Sequence, residues 1–222
     1  MTGERRQALV AVDRRELSKG MPVKTDRWPR TDRRSERIAD VLARRQPDLT
    51  VVLENVHDPH NVSAVLRSCD AVGALRVHTV YTSEERPAGF ARTTSAGAAK
   101  WTEIVHHETV EACFAALRAE GFVVVATAIG AESVDLFRLD LTRPTALVFG
   151  NEMRGVSPEA QAGADVLAAL PMMGMVESLN ISVASAVTLY EALRQRRAAA
   201  AYDTPKLDGA ALDQLERAWL ER

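Results

Sequence analysis

A chain of 222 residues with 46 % hydrophobic residues can bury one full-sized core, and a formal net charge of −2 excludes no class of partner. Its two cysteines, Cys69 and Cys113, are too few for a disulfide framework and lack metal-ligand spacing, which excludes a disulfide-rich domain and predicts a cytoplasmic protein without a metal. No apolar run reaches the roughly 18 residues of a membrane span, and we expect no signal peptide.

The charges are unevenly distributed along the chain. Residues 1–46 contain 13 Lys+Arg and 7 Asp+Glu, whereas the remainder contains 15 Lys+Arg and 23 Asp+Glu. A basic arm on an acidic body fits a phosphate-binding surface, whose affinity comes from the release of counterions. A solvated, partly disordered terminus fits the same charges. Charge alone leaves both interpretations open.

The N-terminal part carries little pattern. Residues 1–30 show no sustained hydrophobic periodicity, so we expect loose structure there at most. Between residues 33 and 45, apolar side chains recur at helical spacing among charged ones. This pattern predicts a short basic helix that ends before Pro47.

The rest of the chain alternates short apolar runs with helical patterns. Apolar runs separated by helices are typical of strands buried on both faces of a parallel sheet, so we expect an α/β fold. The predicted strands are residues 51–56, 76–81, 122–128, 145–149 and 166–170. The predicted helices run from the Asp58–Pro59 cap to Gly73, from 110 to 120 and from 179 to about 200, with a weak amphipathic stretch at 212–219. Residues 93–101 are rich in Ala, Ser and Gly, whose small side chains permit close packing against a neighbouring segment or a ligand.

The usual phosphate-binding loops are absent from the sequence. No G-x-G-x-x-G follows the first predicted strand, and G-x-x-x-x-G-K-[ST] occurs nowhere in the chain. These absences argue against a Rossmann dinucleotide enzyme, a P-loop NTPase and the usual glycine-loop methyltransferase. Any nucleotide ligand must therefore be bound by loops later in the chain.

The first segment of chemical interest opens the helix after the first strand. Asn61 lies in the opening turn, and Ala64 and Arg67 follow at steps of three along one ridge. Such a ridge can hold a guanidinium beside the carboxyl end of the sheet, where α/β ligand sites form. For Arg67 by itself, an arginine on the solvated face of the helix is the simpler interpretation.

The second segment, Gly150-Asn151-Glu152, directly follows the predicted strand 145–149. A glycine at the end of a strand lets a ligand approach the backbone closely. Glu152 can pair with an arginine or orient a hydroxyl. A plain turn before a helix beginning at Ser157-Pro158 explains the same residues equally well.

The third segment, residues 170–180, joins the last predicted strand to the long helix. Ser178 is placed to cap that helix. The preceding Pro-Met-Met-Gly-Met-Val combines soft apolar side chains with a flexible backbone, which suits an adenine and a thioether. An ordinary buried link between strand and helix is the alternative.

Taken together, the three segments resemble the motifs of the SpoU/TrmH family of SPOUT RNA methyltransferases. The family patterns are present as N-x-x-A-x-x-R at 61–67, G-N-E at 150–152 and S-L-N-x-S at 178–182. The resemblance covers about residues 33–200 and is very specific, because three motifs occur in the right order. Residues 43–49 further resemble the members that methylate the ribose of guanosine 18 in tRNA.

The resemblance implies a parallel sheet whose C-terminal part is tied in a deep trefoil knot, an exception to the usual unknotted topology. It also implies a homodimer with active sites at the subunit interface. Three regions follow from it: a basic RNA-binding extension (1–46), the methyltransferase domain (47–200) and a C-terminal tail or helix (201–222). The implied macromolecular partner is tRNA, and neither DNA, a membrane nor a metal is expected.

The cofactor implied by the resemblance is S-adenosyl-L-methionine, bound in the loops of the knot. We expect it to contact Thr127, Gly150, Leu170, Met172 and Leu179. The reaction is then attack of the ribose 2′-oxygen on the sulfonium methyl group. Alignment of the reactants and removal of the hydroxyl proton are its difficult parts.

Proposals for the family give the proton-accepting role to the arginine that is Arg67 here. A guanidinium is a very poor base, and a neighbouring phosphate makes its deprotonation harder still. We therefore predict that Arg67 grips a phosphate or ribose oxygen. Four other side chains are expected to position the hydroxyl: Asn61, Glu152, Ser178 and Asn180.

Three other functions fit the sequence less well. The first is the same chemistry on ribosomal RNA, but the residues before 47 are too few for the separate RNA-binding domain that relatives with that role often carry. The second is a catalytically silent RNA-binding module on the same scaffold, against which the full set of site residues argues. The third is a small-molecule α/β enzyme using a nucleotide, which the missing phosphate loops disfavour.

Overall fold

The computed structural model describes residues 32–82 and 100–222. The predicted loose extension at 1–30 and nearly all of the small-residue segment at 93–101 lie outside the described residues. The chain divides into two units, residues 1–34 and residues 35–222. All strands of the described residues belong to the second unit.

Strands and helices alternate along the described residues. The strands are β1 (Leu49–Glu54), β2 (Arg76–Val80), β3 (Glu103–His107), β4 (Val123–Thr127), β5 (Val134–Asp135), β6 (Thr145–Phe149) and β7 (Val166–Ala169). The helices are α1 (Asp32–Leu42), α2 (Pro59–Val72), α3 (Val110–Ala119), α4 (Pro158–Gly163), α5 (Ile181–Ala198) and α6 (Gly209–Leu220), and a 3₁₀ turn (Leu136–Arg138) follows β5. Every predicted strand and helix is found, with its ends displaced by at most three residues.

The strands of the described residues form one sheet in the order β3-β2-β1-β6-β4-β7-β5, with every pairing parallel. β6 is inserted between β1 and β4, two strands that precede it in the chain. Every residue of β1 and β6 is buried, which explains why their sequences are mostly apolar. The predicted α/β architecture with a parallel sheet is confirmed.

Helices cover both faces of the sheet. On one face α2 packs against α5, and Val65, Leu66 and Leu189 are fully buried between them and the strands. On the other face α3 packs against α4, and Phe114 and Leu117 are buried against the sheet. No helix in the described part of the chain has the length and apolar character needed to cross a membrane.

Local sequence signals set the limits of α2, as predicted. Asp58 accepts a hydrogen bond from the backbone N–H of His60 at 2.8 Å, and Pro59 occupies the first turn. The helix ends at Gly73, whose φ of +89° lies in the left-handed region. A Cβ at Gly73 would lie 2.8 Å from the carbonyl oxygen of Arg44, so a side chain is excluded there sterically as well.

The predicted basic helix and the weak C-terminal amphipathic stretch pack against each other. Ile38 and Leu42 of α1 are buried together with Trp219 of α6. The ring of Trp219 also lies 5.0 Å from the guanidinium of Arg45, at a distance typical of a cation–π contact. The C-terminal helix α6 therefore supports α1. Within its observed bounds α1 is not basic, because its three arginines are balanced by three acidic residues.

The predicted basic end of α5 has a structural role at Arg196. This side chain is fully buried and donates hydrogen bonds to Asp48 Oδ1 at 2.6 Å and to the carbonyl oxygens of Leu141 and Arg143. Burial by itself raises the pKa of Asp48, but Lys206 and Arg196 outweigh burial and hold that pKa below its ordinary value of 3.8. Arg196 thus ties the end of α5 to the segment that enters β1.

The Asp48 carboxylate is expected to make folding stability depend on pH. Since its pKa is lower in the folded state, its contribution is present above the ordinary carboxyl pKa of 3.8 and is lost as the pH falls below that value. Asp48→Asn should lower the free energy of unfolding by about 2 kcal/mol at neutral pH. Urea denaturation at neutral and acid pH measures this difference, which should shrink in acid. Asp203→Asn, at an exposed position, is the control and should show no such change.

Candidate functional site

A cavity of about 400 Å³ opens at the carboxyl ends of β4, β6 and β7. This volume lies within the range of roughly 300–1,000 Å³ that is usual for small-molecule sites. Ligand sites of parallel α/β sheets form at this edge. The walls come from the ends of the three strands, from the loop after β6 and from residues in the range 170–184.

Gly150 shapes one wall of this cavity by allowing two backbone segments to meet. A Cβ atom at Gly150 would lie 2.1 Å from the carbonyl carbon and oxygen of Gly155 and 2.2 Å from the backbone nitrogen of Val156. Real side chains never tolerate such distances. Glycine at this position is therefore required for packing of the loop after β6, independently of any ligand.

Asn151 folds the loop that follows. Its side-chain amide donates a hydrogen bond to the carbonyl oxygen of Asn55 at 2.9 Å. Its side-chain oxygen accepts hydrogen bonds from the backbone N–H groups of Met153 at 2.9 Å and Arg154 at 3.2 Å. Residues 151–155 are thus held as a closed turn beside the end of β1.

Two residues at the end of β1 support the same loop and were not predicted as part of the site. Glu54 is buried and accepts a hydrogen bond from the backbone N–H of Ser157 at 2.9 Å. Asn55 has a φ of +52°, a left-handed conformation in which asparagine is more common than most residues. Its carbonyl oxygen accepts the bond from Asn151. Polar side chains at the last position of a buried strand and directly after it were the available sequence signal.

Three of the predicted site residues form a chain of hydrogen bonds. The amide nitrogen of Asn61 donates to Glu152 Oε1 at 2.8 Å, and the amide nitrogen of Asn180 donates to Asn61 Oδ1 at 3.2 Å. Asn61 is buried, with 8 % of its surface exposed. The chain joins α2, the loop after β6 and the start of α5, so all three motifs meet at one place.

The cap of α5 differs from the prediction. Asn180, not Ser178, is the N-cap residue, and its side-chain oxygen accepts hydrogen bonds from the backbone N–H of Ser182 at 2.9 Å and from its hydroxyl at 2.6 Å. Ser178 is exposed and lines the cavity. The prediction was wrong because the helix begins two residues later than expected, and a cap must immediately precede the first turn.

We expect Asn180→Ala and Ser178→Ala to differ in their effect on stability. Loss of the Asn180 cap should lower the free energy of unfolding by about 1 kcal/mol, since the first-turn N–H groups of α5 lose their acceptor. Ser178→Ala should leave it unchanged. Chemical denaturation of both variants measures the difference. Equal stabilities would contradict the assignment of Asn180 as the cap.

All five predicted cofactor-binding residues line the cavity: Thr127, Gly150, Leu170, Met172 and Leu179. The hydroxyl of Thr127 donates to the carbonyl oxygen of Val148 at 2.9 Å, which fixes that side chain between β4 and β6. Glu152 and Ser178 line the same cavity. The cavity thus has apolar lining residues and a polar edge formed by Glu152 and Ser178. Asn61 and Asn180 do not line it, and Asn61 is joined to Glu152 by its hydrogen bond.

Arg67 lies outside this arrangement. Its side chain is exposed and is not among the residues that line the cavity. On an α-helix each step of three residues falls about 60° short of a full turn, so Arg67 is rotated by about 120° from Asn61. The ridge that runs from Asn61 through Ala64 to Arg67 therefore turns away from the buried side of α2. Arg67 does not line the cavity of its own chain.

The chain is similar to proteins of known activity over most of its length. The sequence pattern of the SpoU rRNA Methylase family matches residues 48–190. A tRNA (guanosine(18)-2′-O)-methyltransferase of Thermus thermophilus is 49 % identical over 196 residues, which cover 87 % of this chain and 98 % of that protein. The crystal structure of the A. aeolicus TrmH/SpoU tRNA modifying enzyme superposes with a TM-score of 0.76 at 37 % identity, covering 86 % of this chain and 96 % of that one. The AdoMet-bound rRNA methyltransferase from Sinorhizobium meliloti superposes with a TM-score of 0.60 at 32 % identity, covering 72 % of this chain and 60 % of that one.

Proposed function

The chain belongs to the SpoU rRNA Methylase family, and from this membership we propose that it transfers a methyl group from S-adenosyl-L-methionine to the 2′-hydroxyl of guanosine 18 in the D-loop of tRNA. The observation that carries the proposal is that two of the three sequence segments line one cavity and the first is joined to it by the hydrogen bond from Asn61 to Glu152. The relative with 49 % identity, which acts on guanosine 18 of tRNA according to its name, supports this substrate.

The cavity fits the proposed cofactor. Gly150 lets the loop after β6 close against Gly155 beside the cavity, and Leu170, Met172 and Leu179 offer apolar contacts for the adenine and the thioether. When bound, S-adenosyl-L-methionine supplies an electrophilic methyl group on a sulfonium sulfur. The bound form of the Sinorhizobium meliloti relative supports the choice of this cofactor.

The polar edge of the cavity is suited to positioning a ribose. Because Asn61 donates to Glu152 and accepts from Asn180, each of these side chains is held in one orientation. Glu152 and Ser178, which line the cavity, can accept a hydrogen bond from the 2′-hydroxyl and direct its oxygen lone pair toward the methyl group. Fixing the nucleophile in this way is a major source of rate acceleration in group transfer.

The exposed position of Arg67 supports a homodimeric enzyme in which Arg67 serves the cavity of the other subunit. Val183, Val187 and Tyr190 form an exposed apolar stripe on α5, at 47 %, 37 % and 53 % exposure. Exposed apolar stripes of this kind mark protein interfaces. Since α2 packs against α5, pairing through this stripe brings the exposed side of α2 close to the partner subunit.

The order of the strands supports the trefoil knot that the family resemblance implies. β6 is inserted between β1 and β4, and the segment between β7 and α5 shares the cavity with the loop after β6. In the proposed topology the chain passes through this loop before it forms α5. The knot would then hold both cofactor-binding loops in place.

We assign tRNA binding mainly to residues 1–46, followed by the methyltransferase domain (47–200) and the C-terminal helix and tail (201–222), in an enzyme of the cytoplasm. Arg37 of α1 and Arg44, just after it, both pair with Asp40, and all three side chains are partly exposed. Exposed pairs of this kind contribute little to stability. Phosphate groups of RNA can therefore replace Asp40 at little cost.

Methyl transfer to defined tRNA transcripts tests the function. The enzyme is incubated with tritium-labelled S-adenosyl-L-methionine and an unmodified transcript, and with the same tRNA carrying 2′-deoxyguanosine at position 18. Label should enter the first RNA at guanosine 18 and be absent from the second, which lacks the nucleophile. Equal labelling of both would disprove the target. Label on ribosomal RNA alone would favour the rival substrate, and tight tRNA binding with no transfer to any RNA would favour a silent binding module.

A further inference from the structure

A cluster of three metal-ligating side chains lies on the opposite side of β1 from the cavity in the order of the sheet. His78 belongs to β2, His107 ends β3 and Cys113 lies in α3, which covers this face. One ring nitrogen of each histidine and the sulfur of Cys113 all lie within 4.8 Å of one another. We propose that these three residues form a binding site for Zn²⁺.

The sheet places the two imidazoles on one face. His78 lies opposite Val105 in the parallel register, and Val105 and His107 point to the same side because they are two residues apart. His78 Nδ1 and His107 Nε2 are 2.9 Å apart, and the two rings stack. The strands thus hold two nitrogen ligands as neighbours without help from any loop.

Binding of a tetrahedral ion requires the three ligand atoms to shift. With Zn–N bonds of about 2.0–2.1 Å and a Zn–S bond of about 2.3 Å, the ligand atoms of such a site stand roughly 3.3–3.7 Å apart. The two nitrogens, 2.9 Å apart, must separate by a few tenths of an ångström, and the Cys113 sulfur, within 4.8 Å of both, must approach them by up to about 1 Å. Two imidazoles and one thiolate are a ligand set that Zn²⁺ favours, and three protein ligands leave one position for water.

His78 is buried, with 3 % of its surface exposed, so an ion bound to it would lie largely out of solvent. His107 is only partly buried, which gives an ion access from solvent.

The two imidazoles would bind the ion through ring-nitrogen lone pairs, and the thiol of Cys113 loses its proton to solvent when the Zn–S bond forms. The ion would fasten the edge strand β3 to α3.

Metal retention tests the site, and the second buried cysteine provides a matched control. The full chain without a polyhistidine tag is stripped with EDTA, given one equivalent of Zn²⁺ and gel-filtered, and its metal content is measured by mass spectrometry. About one Zn²⁺ per chain is expected for the wild type and for Cys69→Ala, and less than about one-tenth for Cys113→Ala. His107→Asn, at a partly exposed position, should lose the metal as well if Cys113→Ala does not fold.

Cobalt provides a spectroscopic readout that is independent of methyl transfer. Co²⁺ added to the stripped protein should give a thiolate-to-metal charge-transfer band, which Cys113→Ala abolishes and Cys69→Ala retains. His106→Asn, on the opposite face of β3, should also retain it. Failure of the wild type to keep Zn²⁺, or an equal loss in Cys69→Ala, would overturn the proposal. Retained Co²⁺ without the thiolate band would overturn it too.

Discussion

Replacing Arg67 by alanine is expected to lower the rate of methyl transfer about 1,000-fold, because a preorganised charged donor at the reacting group is removed. Stability should not change, since the Arg67 side chain is exposed and lies outside the cavity. Binding of S-adenosyl-L-methionine should not change either. Single-turnover kinetics with a tRNA transcript measures the rate, and calorimetry measures cofactor binding.

The lysine variant distinguishes a planar fork from a simple positive charge. A guanidinium can hold two oxygens of a phosphate or ribose in one plane, and a lysine ammonium cannot. Arg67→Lys should therefore lose nearly as much activity as Arg67→Ala. If Arg67→Lys kept most of the wild-type rate with unchanged RNA binding, the fork hypothesis would be wrong.

Mixed dimers test whether Arg67 acts across the subunit interface. Subunits carrying Arg67→Ala and subunits carrying Glu152→Ala are each inactive in the proposal, but a mixed dimer contains one site with both wild-type residues. Random mixing in equal amounts should restore about one quarter of the wild-type activity, because half of the dimers are mixed and each has one intact site of two. No recovery would mean that Arg67 serves its own chain.

The strands could be predicted from the sequence where burial on both faces left a continuous apolar run. Thr145–Phe149 of β6 was predicted to the residue for this reason. β3 was missed because it is an edge strand, and in Glu103–His107 exposed and partly buried residues are mixed so that no apolar run appears. The insertion of β6 between β1 and β4 depends on contacts distant in the chain, and no local pattern encodes it.

The site residues could be recognised individually, but their contacts could not. The hydrogen bonds from Asn61 to Glu152 and from Asn180 to Asn61 join residues 91 and 119 positions apart. His78, His107 and Cys113 likewise have no metal-ligand spacing in the sequence, because two strands and a helix bring them together. Asn180 and Ser178 are both good capping residues, and only the starting point of α5 decides between them.

Gly150→Ala is expected to abolish cofactor binding and to destabilise the fold by about 3 kcal/mol, the upper part of the usual range for overpacking. The new Cβ would lie 2.1 Å from the carbonyl of Gly155 and 2.2 Å from the backbone nitrogen of Val156. Both contacts are with backbone, which cannot move aside as a flexible side chain can. The loop after β6 must therefore move, and Glu152 moves with it. Chemical denaturation measures the stability, and calorimetry with S-adenosyl-L-methionine measures binding.

Gly174→Ala separates this steric effect from a general loss of loop flexibility. Gly174 lies in residues 170–180, but a Cβ there would meet no atom within 4 Å. We expect this variant to keep the wild-type stability and to bind the cofactor within a factor of about three, since a surface change away from packed contacts alters little. The contrary result would be an equal loss of cofactor binding in both variants, with Gly150→Ala as stable as the wild type. The need for glycine at positions 150 and 174 would then come from loop flexibility and not from the close approach of Gly150 to Gly155.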